Sequence, residues 1–101
     1  MGEDKKLTIE EEIDNVLSAF DFEEAHKIMV GRNHQWFIGD EMGVPSHYEI
    51  IKTARRLLKK AATEKDAFFI STGGFTAVKR KFDDGTAQLL LFYGIFSSGE
   101  E

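Results

Sequence analysis

The sequence predicts a small α+β domain, an antiparallel β-sheet of three to four strands with about three helices packed on one face. Three observations carry this expectation. The stretch from Ile70 to Phe96 is dense in Phe, Val, Thr, Ile and Tyr, residues that suit a pleated, half-buried surface, and Asp84-Gly85 interrupts it as a strong hairpin signal. The upstream half carries apolar residues at helical spacing, behind side chains that open helices. A length of 101 residues supports one modest core, so residues 1–101 are read as a single domain.

Met1 to Leu7 is charged and expected to fray. Thr8 and Glu11 then stand at the spacing of a capping box, and Ile9, Ile13, Val16, Leu17 and Phe20 share one helical face behind them. Glu10, Glu11, Glu12 and Asp14 lie where the helix dipole favours carboxylates. A second helix opens at Asp21, with Glu24 three residues on and Phe22, Ala25, Ile28 and Met29 as its stripe, and ends at Gly31 or Asn33. His34 to Gly39 reads as a short extended segment in which Trp36 anchors the core with its N–H satisfied. Asp40 to Pro45 reads as loop. Ser46 and Glu49 form another capping box and open a helix over 46–62, expected to bury Ile50, Ile51, Ala54, Leu57, Leu58 and Ala61. Lys52, Arg55, Arg56, Lys59 and Lys60 recur on its opposite side. Thr63 to Asp66 turns the chain, and Ala67 begins the sheet.

A two-residue loop at Asp84-Gly85 sets Phe82 opposite Ala87, Val78 opposite Leu91 and Thr76 opposite Tyr93. One face then carries Thr76, Val78, Arg80 and Phe82 beside Ala87, Leu89, Leu91, Tyr93 and Ile95. The other carries Phe75, Ala77, Lys79 and Lys81 beside Gln88, Leu90, Phe92 and Phe96. A three-residue loop over Asp83-Asp84-Gly85, with Gly85 left-handed, moves every partner by one. Both alternating sets of the last strand are apolar beyond Gln88, so the sheet face away from the helices also needs a cover.

The formal net charge is −5, distributed unevenly: residues 1–24 are strongly acidic, whereas residues 27–81 are basic on balance. Two solvated helix faces that attract each other account for this; the alternatives are a partner with complementary patches and, for Glu10, Glu11, Glu12 and Asp14, a surface that mimics nucleic-acid phosphates. The absence of cysteine excludes disulfides, thiolate nucleophiles and cysteine-held metals. Leu89 to Phe96, the longest apolar run, is too short to span a bilayer, so no membrane partner is expected. MGEDKK has no apolar stretch behind it, and position 6 is Lys where a myristoylation signal needs Ser or Thr. A cytoplasmic protein is the expectation.

Candidate chemistry is sparse. Gly73 and Gly74 cut into strand-forming sequence and mark a bulge or a corner. Alternatively they open a backbone surface to a small anionic or nucleotide-like ligand, with Ser71 and Thr72 supplying hydroxyls. No Walker loop, no G-x-G-x-x-G and no G-x-S-x-G occurs. His26, His34, His47, Asp40, Glu41 and Tyr93 make the titratable set, without the spacing of a helical zinc motif. No metal, no cofactor and no catalytic residue is therefore assigned, and the chain is read as a non-enzyme. The cationic helix face is a phosphate-binding candidate, but the acidic net charge and the lack of an aromatic within the stripe make nucleic acid an unfavoured partner.

The segments Asp21-Phe22-Glu23-Glu24-Ala25-His26-Lys27, Trp36, Gly43-Val44-Pro45-Ser46, Ala54-Arg55-Arg56-Leu57-Leu58 and Ser71-Thr72-Gly73-Gly74-Phe75 resemble small bacteriophage- and prophage-encoded proteins of uncharacterised activity. The resemblance runs from Asp21 to Phe96. It implies a setting in which small non-enzymatic proteins bind and inhibit host factors, including defence proteins. Two functional readings follow. The first is an interaction protein with a protein partner or a twin subunit, meeting it through Phe75, Phe92 and Phe96 or through Arg55, Arg56 and Lys59. The second is a small-ligand binder using Ser71, Thr72, Gly73 and Gly74.

Overall fold

The computed structural model describes residues 8–93. Each helix begins where a side chain takes up its free N–H groups. α1 (Ile9–Ala19) and α3 (His47–Thr63) both open with complete capping boxes. The Thr8 and Ser46 hydroxyls accept from the N–H of Glu11 and Glu49 at 3.1 and 3.2 Å, and those carboxylates accept from the cap N–H groups at 2.9 and 2.8 Å. α2 (Phe22–Gly31) uses the Asp21 carboxylate, which accepts from the Glu24 N–H at 2.9 Å.

Two antiparallel sheets complete the fold. β1 (Trp36–Ile38) and β2 (Glu41–Gly43) form a small hairpin by themselves, so Glu41 to Gly43 is strand where the sequence suggests loop. Gly39 makes this reversal possible: its φ of +67° at the first turn position suits a two-residue link between Ile38 and Glu41. The main sheet has the order β3 (Phe68–Thr72), β4 (Phe75–Lys81), β5 (Ala87–Tyr93). Gly73-Gly74 is therefore neither bulge nor corner but a complete two-residue hairpin turn, with φ values of +61° and +88° and Thr72 paired to Phe75. Glycine takes both positive-φ positions of such a turn without strain.

The β4–β5 turn corrects the register. Lys81 pairs with Ala87, Val78 with Leu90, Thr76 with Phe92 and Phe75 with Tyr93, so the three-residue loop holds and the two-residue pairing does not. Gly85 has φ +90° and its N–H donates to the Phe82 carbonyl at 3.0 Å. Asp84 explains the longer loop: its carboxylate accepts from the Thr86 N–H at 2.9 Å and from the Thr86 hydroxyl at 2.6 Å, closing an Asx turn inside the loop. These bonds hold the Asp84 carboxyl below its ordinary range.

This one-residue shift recombines the faces. The helix-side face joins Phe75 and Ala77 to Leu89 and Leu91, all buried, with Phe68, Ile70 and Tyr93 packed against them. α3 lies on that face and buries Ile50, Ala54, Leu57, Leu58 and Ala61, as its spacing predicts, while α1 adds Ile13 and α2 adds Phe22, Ala25 and Met29. Lys79 and Lys81 also point to the helix side, where α3 ends. The Lys79 ammonium donates to the carbonyls of Ala62 and Glu64, and Lys81 donates to that of Lys65 at 3.2 Å. Cations there satisfy orphan carbonyls at the negative end of the helix. No helix among the described residues is long and apolar enough to cross a membrane.

Candidate binding surfaces

The outer face of the three-stranded sheet is the first candidate. Its rows, read across the strands, are Ser71–Thr76–Phe92, then Phe69–Val78–Leu90, then Arg80 beside Gln88. Phe69 is 70 % exposed and Phe92 50 %, with Val78 and Leu90 half-buried between them. Ser71 and Thr76 share a hydroxyl bond of 2.7 Å at one end, and Arg80 stacks on Phe82 at 5.2 Å at the other. The result is an apolar centre with a polar rim, the anatomy of an interface rather than of a solvated sheet.

The expected aromatic set divides here. Phe92 lies on this open face, but Phe75 is 0 % exposed, tilted against Tyr93 at 4.7 Å and against Phe20 at 5.9 Å. Phe75 is core, not contact surface, because the register gives it to the helix side. Phe96 lies outside the described residues. Phe69 stands on the open face instead, and only pairing to Val78 reveals it, since Phe68 and Phe69 are indistinguishable by composition.

The Gly73-Gly74 turn is covered by rings. A Cβ on Gly73 would come within 2.3–2.7 Å of three Trp36 indole atoms, and one on Gly74 within 2.8 Å of Tyr93 and 3.1 Å of His34. The missing side chains thus seat aromatic neighbours. Ser71 is spent on Thr76. Trp36 is half-buried, and its indole N–H has no acceptor among the described residues, contrary to expectation. It lies over a glycine, so ring contact rather than hydrogen bonding holds it. The Tyr93 hydroxyl meets His34 Nδ1 at 3.1 Å, tying β5 to the segment after α2, and burial holds the phenol above its ordinary range against the opposing pull of Arg32.

The cationic side of α3 is the second candidate. Arg55 reaches Asp14 at 3.0 Å and Glu10 at 3.9 Å, and Lys59 reaches Glu10 at 3.3 Å. The acidic and basic halves of the sequence thus meet, on exposed side chains where each pair contributes little. Lys52 stacks over Tyr48 at 5.7 Å. The β1 strand stands beside this helix, and between them opens a cleft of about 540 Å³ lined by Trp36, Phe37, Lys52, Thr53, Arg55 and Arg56 among others. The stripe therefore does have aromatic neighbours. Trp36 and Phe37 come from another element, which sequence spacing along the helix has no means of showing, whereas Tyr48 belongs to α3 itself, four residues before Lys52.

His26 Nε2 lies 3.1 Å from the carbonyl of buried Pro45, and its ring meets His47 edge-on at 5.9 Å, a structural arrangement between α2 and the start of α3. Among the described residues no group of three or more His, Asp or Glu side chains converges as a metal site. No protein-family model matches the chain, and neither does any curated protein or solved structure.

Proposed function

We propose that this chain is a non-enzymatic interaction protein that docks through the outer face of its three-stranded sheet, and that a second copy of the chain occupies that face. The observation that carries the reading is the open row Phe69–Val78–Leu90 with Phe92 beside it. Sheets pack face to face through such rows, and a two-fold axis across the strands would stack this row on its own copy. The same axis sets Arg80 opposite Thr76 and Gln88 opposite Phe92 of the copy, so no cation meets a cation. The role implied by the resemblance to phage-encoded chains, inhibition of a host protein, is the form of interaction we propose for the assembled protein. Sedimentation velocity over a concentration series tests the assembly. The wild type should pass from one chain to two, and Phe92→Glu should remain monomeric with an unchanged circular dichroism spectrum. A wild type that stays monomeric at every concentration would overturn the reading.

A further inference from the structure

The cleft between β1 and α3 has one aromatic and one cationic wall. On the β1 side Phe37 is 76 % exposed, the largest exposure among the large apolar side chains of the described residues. It projects from the three-residue strand β1, where it pairs with the exposed Met42. On the α3 side Lys52 and Arg56 stand one turn apart, with Thr53 also in the lining. Neither cation forms an ion pair among the described residues, although Lys52 also lies over the Tyr48 ring, whereas Arg55 and Lys59, which line the cleft too, are engaged by Asp14 and Glu10. Glu49, a carboxylate in the lining, accepts from the Ser46 N–H at 2.8 Å and is committed to the helix cap. Positive charge without an ion-pair partner among the described residues therefore shares with an exposed flat ring a cleft of about 540 Å³, which is within the range of small-ligand sites.

From these contents we infer that the cleft binds a nucleoside phosphate, with the base stacked on Phe37 and the phosphate held between Lys52 and Arg56. A planar base gains from an aromatic face without regard to its identity. A phosphate matches the guanidinium fork of Arg56 and the point charge of Lys52. A simple anion would leave Phe37 unused, and a neutral aromatic would leave both cations unused. The site is independent of the outer sheet face, and Trp36 in its lining joins it to the glycine turn.

Isothermal titration of the full chain at low salt tests this, with AMP and ATP as probes and adenosine and inorganic phosphate as the two half-ligands. The nucleotides should bind one per chain and weaken as salt rises. Each half-ligand should bind at least about tenfold more weakly, as should AMP to Phe37→Ala and to Arg56→Glu, the loss expected for one stacking or charge-assisted contact. Lys52→Glu serves as a second charge reversal should Arg56→Glu fail to fold by circular dichroism. Glu10→Gln should tighten binding by releasing Lys59, which also lines the cleft, from its ion pair, and Phe92→Glu should leave it unchanged. No binding of either nucleotide at low salt would overturn the site. So would affinity indifferent to both Phe37 and the charge reversals, or tighter binding of an oligothymidylate or an acidic Phe-containing peptide than of ATP.

Discussion

The two faces of the three-stranded sheet are built from the same kinds of residue and behave differently. On the helix side Phe75, Ala77, Leu89 and Leu91 are sealed by α1 and α3. On the outer side Phe69 and Phe92 stand in solvent with Val78 and Leu90 between them. Hydrophobicity alone does not separate Phe75 from Phe92; parity in the register does. The charged residues teach the same lesson, because Lys79 and Lys81 sit on the covered face and Arg80 on the open one. Their destination is set by the carbonyls at the end of α3.

The sharpest way to break this comparison is to truncate one aromatic from each face. Phe75→Ala should destabilise the dilute protein by about 3–5 kcal/mol, the range for emptying a buried aromatic site. Phe92→Ala in the same urea melts should cost no more than about 1 kcal/mol. Comparable losses would mean that the faces are assigned wrongly.

Leu57 and Lys59 extend the contrast to α3. Leu57→Ala should cost about 2–5 kcal/mol, since Leu57 is wholly enclosed. Lys59→Ala should change stability by less than about 0.5 kcal/mol despite its contact with Glu10, because both side chains are exposed.

Gly73→Ala sharpens the seam where the covered face meets the small hairpin. It combines a left-handed backbone with a Cβ driven into the Trp36 ring, and should cost about 1–3 kcal/mol with a change in tryptophan fluorescence. A silent Gly73→Ala would detach the β1–β2 hairpin from the turn.

The smallest expected effect is in pH dependence. Burial raises the Tyr93 pKa in the folded state, so its neutral form is favoured by folding. That contribution is complete below the ordinary tyrosine range and is lost as pH rises through the folded value. Alkaline melts of the wild type should therefore lose stability that Tyr93→Phe does not lose. Asp84 runs the other way: its lowered pKa contributes above the ordinary carboxylate range and is lost as pH falls through the folded value.

Local signals made much of the fold legible. Thr8, Asp21 and Ser46 mark the helix starts because caps act within four residues. The buried stripe of α3 follows from period alone. Interactions between elements hid the rest. The choice between two- and three-residue loops at Asp84-Gly85 depends on the Asp84 carboxylate capturing Thr86. Trp36 over Gly73, and Phe37 in one cleft with Arg56, bring together segments far apart in the chain. Glu41 to Gly43 became a strand because Gly39 could turn the chain back on Trp36 to Ile38. Of the expected contact residues Phe92, Arg55, Arg56 and Lys59 are exposed, Phe75 is buried, and Phe69 and Phe37 come to light only in three dimensions.

Isotope-filtered NOE spectroscopy on a mixture of labelled and unlabelled chains reads the outer face most directly. Intermolecular contacts should connect Phe69, Val78 and Leu90 of one chain to the same row of its copy, with none reaching Phe75 or Ala77. An absence of intermolecular contacts in concentrated samples, or contacts confined to α3, would contradict docking through the outer face of the sheet.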